Sequence, residues 1–593
     1  MYSNFINFDT NLPSGPEPQV MLLSASSSTG LTDKAQNLRH YLEQQNNLNT
    51  DDLKILARTY AIKNSHEPYR IAFSAVTKQI LQQELSDYLN TGHLETLTPV
   101  TSVNTNKLLF VFSGHGAQYI KTAQELYSNN PIFKRTADFV NARFVALENF
   151  AILERIFNPP RQLLPNQFQN DHQVTFFLQV CLAAFLIELG IKPTGVLGHS
   201  MGEYAAAVVA KVISLDAGIK LISKRGDMVQ QITGKGRTIA ITASEEVIRE
   251  KIKKYKSLEI AAINSPTNVT VSGEGKDIQE LYDELDSEQI YSTILVSAVA
   301  AHSSFMAEFC PIFKEFAQQF AYHEPDIDYF STTEGCLKTD GFNAQYWSTN
   351  LRLPVQFSKA IAAALKMQYQ IWIEVDPYPV LNPYLKENLA LASNKTFVIT
   401  TFNKDNDDAQ QIARCFADLY DCGVTEPIIN LFAKEPLMEL NLVTSSPTSA
   451  EQLNNTTVNN AVTESRLTTE QINQVVTQTV TALIRAIKFG NKTNIMLDPD
   501  HPLVDQGMRS LIALQISTKI KNDLGVQITP RAVFQKDMTL TKLITLVAEA
   551  YQQTLPYVQS TRDNPYLEVM HEDNTATFNI ICFMNLGGGG IIL

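Results

Sequence analysis

The sequence predicts an α/β protein: a doubly wound parallel sheet with a small α+β insert, preceded by a small α/β unit and followed by a separate helical unit. Three observations carry this. The run LLFVF at 108–112 is continuously apolar, as a strand buried on both faces requires. From there to about Thr401 strand-like and helix-like patterns alternate, which implies parallel strands joined by helices. The stretch 443–465, VTSSPTSAEQLNNTTVNNAVTES, is rich in Ser, Thr and Asn, the composition of a flexible linker, and helical periodicity resumes at Leu467.

Each element follows in order. LPSGPEPQ punctuates the start, and VMLLSAS from Val20 reads as a strand. Helical patterns cover Asn37 to Gln45 and Leu53 to Ala61, a second strand covers Tyr69 to Val76, and the unit ends near Thr98. Inside the larger region, TIAITA and NVTVSG alternate at the period of a sheet between Thr238 and Gly273. An acidic helix over Lys276 to Glu288 and a strand over Ser292 to Ser297 complete that insert, and a helix over Ala409 to Tyr420 closes the region. In the last unit Thr468 and Gln471 form a capping box, and Ile472, Val476, Val480, Leu483 and Ile487 recur at helical spacing. That unit ends near Gln553, and the remaining tail is too short for a domain.

A length of 593 residues suggests about four domains at ~150 residues each. With 48 Lys+Arg against 61 Asp+Glu, the net charge of −13 excludes the basic footprint of a nucleic-acid or anionic-membrane surface. Six cysteines without Cys-x-x-Cys spacing favour free thiols over a disulfide framework or a zinc site, so a cytoplasmic location and no metal are expected. The start lacks a signal peptide, and the richest apolar stretch, Val180 to Ile191, falls short of the ~20 residues a bilayer needs.

The strongest local signal is Gly198-His199-Ser200-Met201-Gly202, with apolar TGVL before it and EYAAAVVA after it. A G-x-S-x-G between a strand and a helix is a nucleophile elbow: its turn lifts the serine hydroxyl clear of the sheet, at a helix N-terminus that favours developing negative charge. A serine at its ordinary pKa needs a base. His302, in LVSAVAAHSSFM downstream of the elbow, is the candidate.

The stretch from about Leu108 to Leu381 resembles the malonyl-type acyltransferase domain of polyketide and fatty-acid synthases. The matching segments run in order: FVFSGHGAQ, LGIKPTGVLGHSMGEYAA, LISKRGDMV, AAINSPTNVTVSG, VSAVAAHS, YWSTNLRLPVQFSKAI and WIEVDPYPVL. The resemblance implies an α/β-hydrolase-like large subdomain and a ferredoxin-like small one, over about 236–298. It implies Ser200 as the acylated nucleophile and His302 as general base, then acid, oriented by backbone carbonyls rather than an aspartate. Backbone N–H groups at Met201 and His115 would form the oxyanion hole, and Arg225 would hold the extender's free carboxylate. A guanidinium suits a carboxylate and excludes acetyl, which would leave the cation without an anion. Asn264 matches a position near the active site, and Ala301 sits where relatives carry a residue that goes with extender choice.

Departures from the family pattern are visible. His115 stands where many relatives carry Gln. Ala301 replaces the Phe that goes with malonyl or the Ser that goes with methylmalonyl, leaving room for an α-substituent. Asp376 and Tyr378 replace the more usual Gly and His.

The segment LDPDHPLVDQGMRSLIALQI resembles an acyl carrier domain of four helices, in which Ser510 would receive covalent 4′-phosphopantetheine. Leu511, Leu514 and Ile520 would form the inward face of the helix that follows. Arg509 stands where relatives carry Asp, removing one acidic contact for the phosphopantetheinyl transferase. Residues 19–98 resemble the linker domain between ketosynthase and acyltransferase, and FINFDT in 1–18 resembles a ketosynthase end. Residues 107–401 would then be the acyltransferase, 402–440 a post-acyltransferase linker, 441–466 the flexible tether and 467–555 the carrier. The tail, 556–593, reads equally as the start of a thioesterase or as a meaningless extension.

Together these imply a piece of a modular type I polyketide synthase. It would load malonyl or a substituted malonyl from its CoA thioester, through Ser200, onto the carrier, with a ketosynthase and other modules as partners. Two other readings stand beside it. An α/β-hydrolase-type serine hydrolase would carry an acid orienting the histidine and no carboxylate-binding arginine. An inactive split-gene fragment would retain the fold without the chemistry.

Overall fold

A computed structural model describes residues 19–432 apart from 46–47, 91–104, 106, 115–123, 159–166, 296–298, 393 and 402–407. In the C-terminal part it describes 499–503, 516–517, 520–521, 526, 528–533, 535 and 537–554. The chain divides into two compact units, 1–451 and 452–593.

The first unit begins with β1 (Val20–Ala25), α1 (Ser28–Gln44), α2 (Thr50–Lys63), β2 (Tyr69–Ser74) and α3 (Lys78–Asn90). β1 and β2 pair antiparallel, from Val20 opposite Ser74 to Ala25 opposite Tyr69. Helix α1 starts earlier than its apolar pattern suggests, because the Ser27 side chain caps it by accepting from the Gly30 N–H at 3.1 Å.

The large sheet is built from β3 (Leu108–Phe112), α4 (Gln124–Asn129), α5 (Pro131–Glu148), α6 (Ile152–Phe157), α7 (Gln167–Glu188), β4 (Gly195–Gly198), α8 (Gly202–Val209) and α9 (Leu215–Gln231). The insert follows as β5 (Arg237–Ile241), α10 (Glu245–Ile252), β6 (Glu259–Ser265), β7 (Asn268–Gly273), α11 (Gly275–Ser287) and β8 (Ser292–Ile294). The chain then returns through α12 (Phe309–Ala317), β9 (Asp328–Ser331), β10 (Cys336–Leu337), α13 (Ala344–Arg352), α14 (Phe357–Lys366), β11 (Ile371–Glu374), α15 (Asn382–Leu389) and β12 (Phe397–Thr400).

The large sheet has the order β10-β9-β4-β3-β11-β12 and is parallel except for the edge strand β10. The buried helix α7 and the fully buried α8 and β3 supply its core. The insert is an antiparallel sheet, β6-β7-β5-β8, the strand order of a ferredoxin-like βαββαβ unit. Helix α16 (Asp408–Asp421) then packs on the first sheet, followed by α17 (Glu426–Phe432). Asp421 accepts from the Ala72 N–H at 2.7 Å, and Tyr420 hydroxyl meets His66 Nδ1 at 2.8 Å.

In the second unit α18 (Pro530–Val533) and α19 (Leu540–Thr554) pack with Leu503, Ile516, Ile520, Val526 and Ile528 into one apolar core. Leu503 N–H donates to Met538 O at 2.8 Å, and Thr541 N–H, at the start of α19, donates to Pro499 O at 3.0 Å. Ser510, Arg509, Leu511 and Leu514, the capping box at Thr468 and the first carrier helix lie outside the described residues. No helix among the described residues is long and apolar enough to cross a membrane.

Candidate active site

In open α/β sheets, ligands gather beyond the carboxyl ends of the strands. Here the ends of β3, β4, β9 and β11 converge: Ser113–Gly114, the elbow at 198–202, Thr332–Thr333 and Asp376 leave those strands in turn. The elbow needs its glycines. A Cβ on Gly198 would lie 2.3 Å from Glu203 N, and one on Gly202 2.3 Å from Phe112 O, so α8 could not close onto β3 and β4. Ser200 itself sits at φ +55°, the left-handed conformation of a strained elbow, and His302 at φ +54°.

One cavity of about 410 Å³ is lined by Ser200, His302, Arg225, Asn264 and Ala301. Four sequence-derived candidates are therefore gathered around Ser200. Met201 is buried as the residue preceding α8, and His115 lies outside the described residues.

The hydrogen bonds fix the protons. Ser200 Oγ lies 2.6 Å from His302 Nε2, and His302 Nδ1 lies 2.9 Å from the backbone carbonyl of Leu353. A carbonyl only accepts, so Nδ1 carries the hydrogen and Nε2 is the acceptor for Oγ–H. Arg225 Nη2 donates to the same Oγ at 2.9 Å. The expected orientation of His302 by a backbone carbonyl, with no carboxylate on Nδ1, is what the geometry shows. Burial first, then the nearby Arg225 charge, pull the His302 pKa down to about 3, so it is neutral and able to accept a proton.

Arg225 is 3 % exposed, and its Nε has no hydrogen-bond partner among the described residues. Burial lowers its pKa, and the interactions that hold its charge include no carboxylate. A buried cation in that state is a ready anion site. Asn264 works one step back: its Oδ1 accepts from His199 Nε2 at 2.9 Å, and its Nδ2 donates to Asn268 Oδ1 and Thr270 Oγ1. Burial holds the His199 pKa at about 4, so this ring is neutral too.

Three further contributors escaped sequence reasoning. His172 on α7 lines the cavity and receives Arg225 Nη1 at 3.2 Å, steadying the guanidinium. Glu203, fully buried one turn after the elbow, accepts from Thr332 and Thr333 N–H groups at 3.1 and 2.8 Å, and from both tyrosine hydroxyls of Tyr329 and Tyr346. Asn350 Nδ2 donates to Ser200 O at 3.2 Å. Glu203 directly follows GHSMG and Asn350 lies within YWSTNLRL, so their places were available; nothing local in the sequence marks His172.

A strained serine, a neutral histidine acceptor and a buried guanidinium define a serine-dependent acyl-transfer centre on an α/β sheet. The comparisons name its family. The acyl transferase domain family matches residues 109–427, and a phosphopantetheine attachment site matches residues 485–547. The chain belongs to the acyl transferase domain family; it is an acyltransferase with a carrier segment for covalent 4′-phosphopantetheine.

Its curated relatives are polyketide synthases. A non-reducing polyketide synthase of Pseudevernia furfuracea is 28% identical over 431 residues, covering 69% of this chain and 20% of the relative. The polyketide synthase GfsB of Streptomyces halstedii is 25% identical over 413 residues, covering 69% of this chain and 7% of the relative. The chain thus spans a fifth or less of the length of these two relatives. Among solved structures, the acyltransferase domain from module 8 of the salinomycin polyketide synthase matches with TM-score 0.62 and 21% identity, over 68% of this chain and 96% of that one. The acyl transferase domain of ZmaA matches with TM-score 0.62 and 23% identity, over 73% of this chain and 99% of that one. At these identities both show the fold.

Proposed function

We propose that this chain loads a malonyl-type acyl group from its CoA thioester, by way of an ester on Ser200, onto the carrier segment at Ser510. The observation that carries the reading is the buried Arg225 guanidinium, 2.9 Å from the Ser200 hydroxyl and without a carboxylate partner among the described residues. A malonyl group held on Ser200 would place its one free carboxylate, two carbons beyond the ester carbonyl, within reach of that cation.

In the first half-reaction His302 Nε2 takes the Ser200 Oγ proton as Oγ bonds the thioester carbon. The C–S bond breaks, and His302 returns the proton to the departing CoA sulfur. N–H groups at Met201 and His115 would bind the transient oxyanion. When bound, 4′-phosphopantetheine supplies the acceptor thiol, and the contacts tying 499–503 to α19 suit a carrier core that would present it on Ser510. In the second half-reaction His302 would accept the acceptor thiol's proton as the thiol sulfur bonds the acyl carbon, and deliver it to Ser200 Oγ as the C–Oγ ester bond breaks. The kinetics are ping-pong.

Arg225 also couples binding to basicity. After burial, its charge is the next cause that holds the His302 pKa down. A substrate carboxylate that neutralises Arg225 relieves that effect and strengthens the base where acylation needs it. Acetyl leaves it in place. Ala301, Ala240, Ala261 and Ala262 in the cavity wall leave space for an α-substituent, so substituted malonyl groups are included.

The modifying phosphopantetheinyl transferase, a ketosynthase and further synthase modules are the partners this reading needs, in a cytoplasmic setting. Intact-protein mass spectrometry with a phosphopantetheinyl transferase and mixed acyl-CoAs tests it. Expected are modification at Ser510 and malonyl-type mass on Ser200; a chain that takes acetyl and malonyl equally would contradict it.

A further inference from the structure

The sequence departs from its family at Asp376, and the structure shows what the carboxylate does. Asp376 and Glu374 are each 1 % exposed, at and just beyond the end of β11. Asp376 Oδ2 accepts from Ser113 N–H at 2.6 Å; its Oδ1 accepts from Ser113 Oγ–H at 2.7 Å and from Gln179 Nε2 at 2.6 Å. Gln179 Nε2 also donates to Ser113 O at 2.9 Å, so residue 113 is held at its N–H, its hydroxyl and its carbonyl. Thr401 Oγ1 in turn accepts from Asp376 N–H at 3.2 Å and donates to Asp376 O at 2.9 Å.

What is held bears on the nucleophile. Gly114, next in the chain, lines the cavity and abuts the elbow so closely that a Cβ there would lie 3.1 Å from both His199 Nδ1 and His199 O and 3.4 Å from Ser200 Cβ. The partner carboxylate does the same on the opposite wall. Glu374 Oε1 accepts from Leu381 N–H at 2.6 Å and Glu374 is further bonded by the Val380 and Asn382 backbones, where Val380 and Leu381 line the cavity.

We infer that Asp376 is a positioning residue for acyl transfer: with Glu374 it clamps the two loops that wall the cavity, and its own share is to fix Ser113–Gly114 against the Ser200 elbow. This rests on the acyl-transfer reading of Ser200.

The clamp also titrates. The groups facing Asp376 are Ser113 at the end of β3, Gln179 of α7, Thr401 beyond β12 and Glu374 of its own strand; of these only Glu374 ionises. Burial pushes Asp376 up to about 7, and burial together with Asp376 pushes Glu374 well above the carboxylate range. A protonated Asp376 has one acceptor oxygen fewer for three donors, and Ser113 hydroxyl is the donor able to turn away. The ionised form is therefore the tight clamp, and the rate rises with pH through this group. His302, at about 3, is already neutral across that range.

The test compares Asp376→Asn, Ser113→Ala and Ser200→Ala in the full chain. It reads acyl-serine formation from malonyl-CoA as kcat and KM between pH 5 and 9, with melting temperatures. Asp376→Asn is expected to lower kcat about 10–100-fold, the scale on which sub-ångström misplacement is felt. KM should stay within about twofold, and the acid limb near neutral pH should vanish. Ser113→Ala should lower kcat about threefold and flatten the limb, because the donor that turns away is already gone. An Asp376→Asn enzyme with wild-type kcat and acid limb overturns the inference, as does a uniform loss of kcat, KM and melting temperature in both variants. Should Asp376→Asn not fold, a Ser113→Ala enzyme with wild-type kcat overturns it alone. An acyl ester that survives Ser200→Ala sinks the acyl-transfer reading itself, which a normal Asp376→Asn beside a dead Ser200→Ala does not.

Discussion

The ends of β4 and β11 lie two strands apart in the same sheet and handle buried charge in opposite ways. Beyond β4 the charge is a cation, Arg225, beside neutral imidazoles and a hydroxyl, with no carboxylate paired to it among the described residues. Beyond β11 the buried acids are two carboxyl groups, whose pKa values burial raises, and neutral donors of the chain itself meet them: Ser113, Gln179 and the 380–382 backbone. The first arrangement leaves a guanidinium for a ligand anion to meet on the proposed reading, and the second holds Asp376 with donors of the chain itself. On the proposed reading the site needs both, because a buried cation discriminates between acyl groups only if the walls around it hold still.

Removing either member of the proton-transfer pair should have the largest effect on this picture. Ser200→Ala or His302→Ala should lower acylation by about 1,000-fold or more, measured as acyl-enzyme formed from malonyl-CoA. Arg225→Ala attacks the incomplete side: kcat/KM for malonyl-CoA should fall about 100-fold while acetyl transfer rises or holds. A parallel fall for both substrates would mean that Arg225 is structural.

Glu203→Ala should show up in stability instead. It strands the buried Thr332 N–H and the half-buried Thr333 N–H and should cost about 3–5 kcal/mol in denaturant unfolding.

The two ends also carry opposite pH signs. His302 and His199 have depressed pKa values, about 3 and about 4, so their contribution to stability is present above the ordinary histidine value of 6.5 and is lost as pH falls toward 3. Asp376 is raised to about 7, so its contribution is present below the ordinary 3.8 and is lost as pH rises through 7. The melting temperature of Asp376→Asn relative to wild type should therefore climb between pH 5 and pH 8. His172→Leu is the mildest probe. Loosening one guanidinium contact should raise KM for malonyl-CoA about threefold to tenfold, and His172→Gln, which keeps an acceptor, should restore it.

How far the sequence reached follows the same division. Alternation in TIAITA and NVTVSG, and the apolar LLFVF, announced the two sheets because strand periodicity is local. The elbow was equally plain, since its glycines and serine are contiguous. Arg225, on α9, could be tied to Ser200 only through a family resemblance, because the fold brings it there across a helix hairpin. Asp376 was visible as a departure from pattern. Its meaning depended on Ser113 and Gln179, which lie 263 and 197 residues away. His172 has no local signal at all: in DHQVTFF it reads as one more buried helix position.

The most direct measurement is the intact mass of the full chain after brief exposure to equimolar malonyl-CoA and acetyl-CoA, wild type beside Arg225→Ala. Wild type should gain the malonyl mass on Ser200 and essentially no acetyl. Arg225→Ala should lose the malonyl adduct and keep or gain acetyl. An Arg225→Ala enzyme that still prefers malonyl would contradict the claim that this buried cation selects the acyl group.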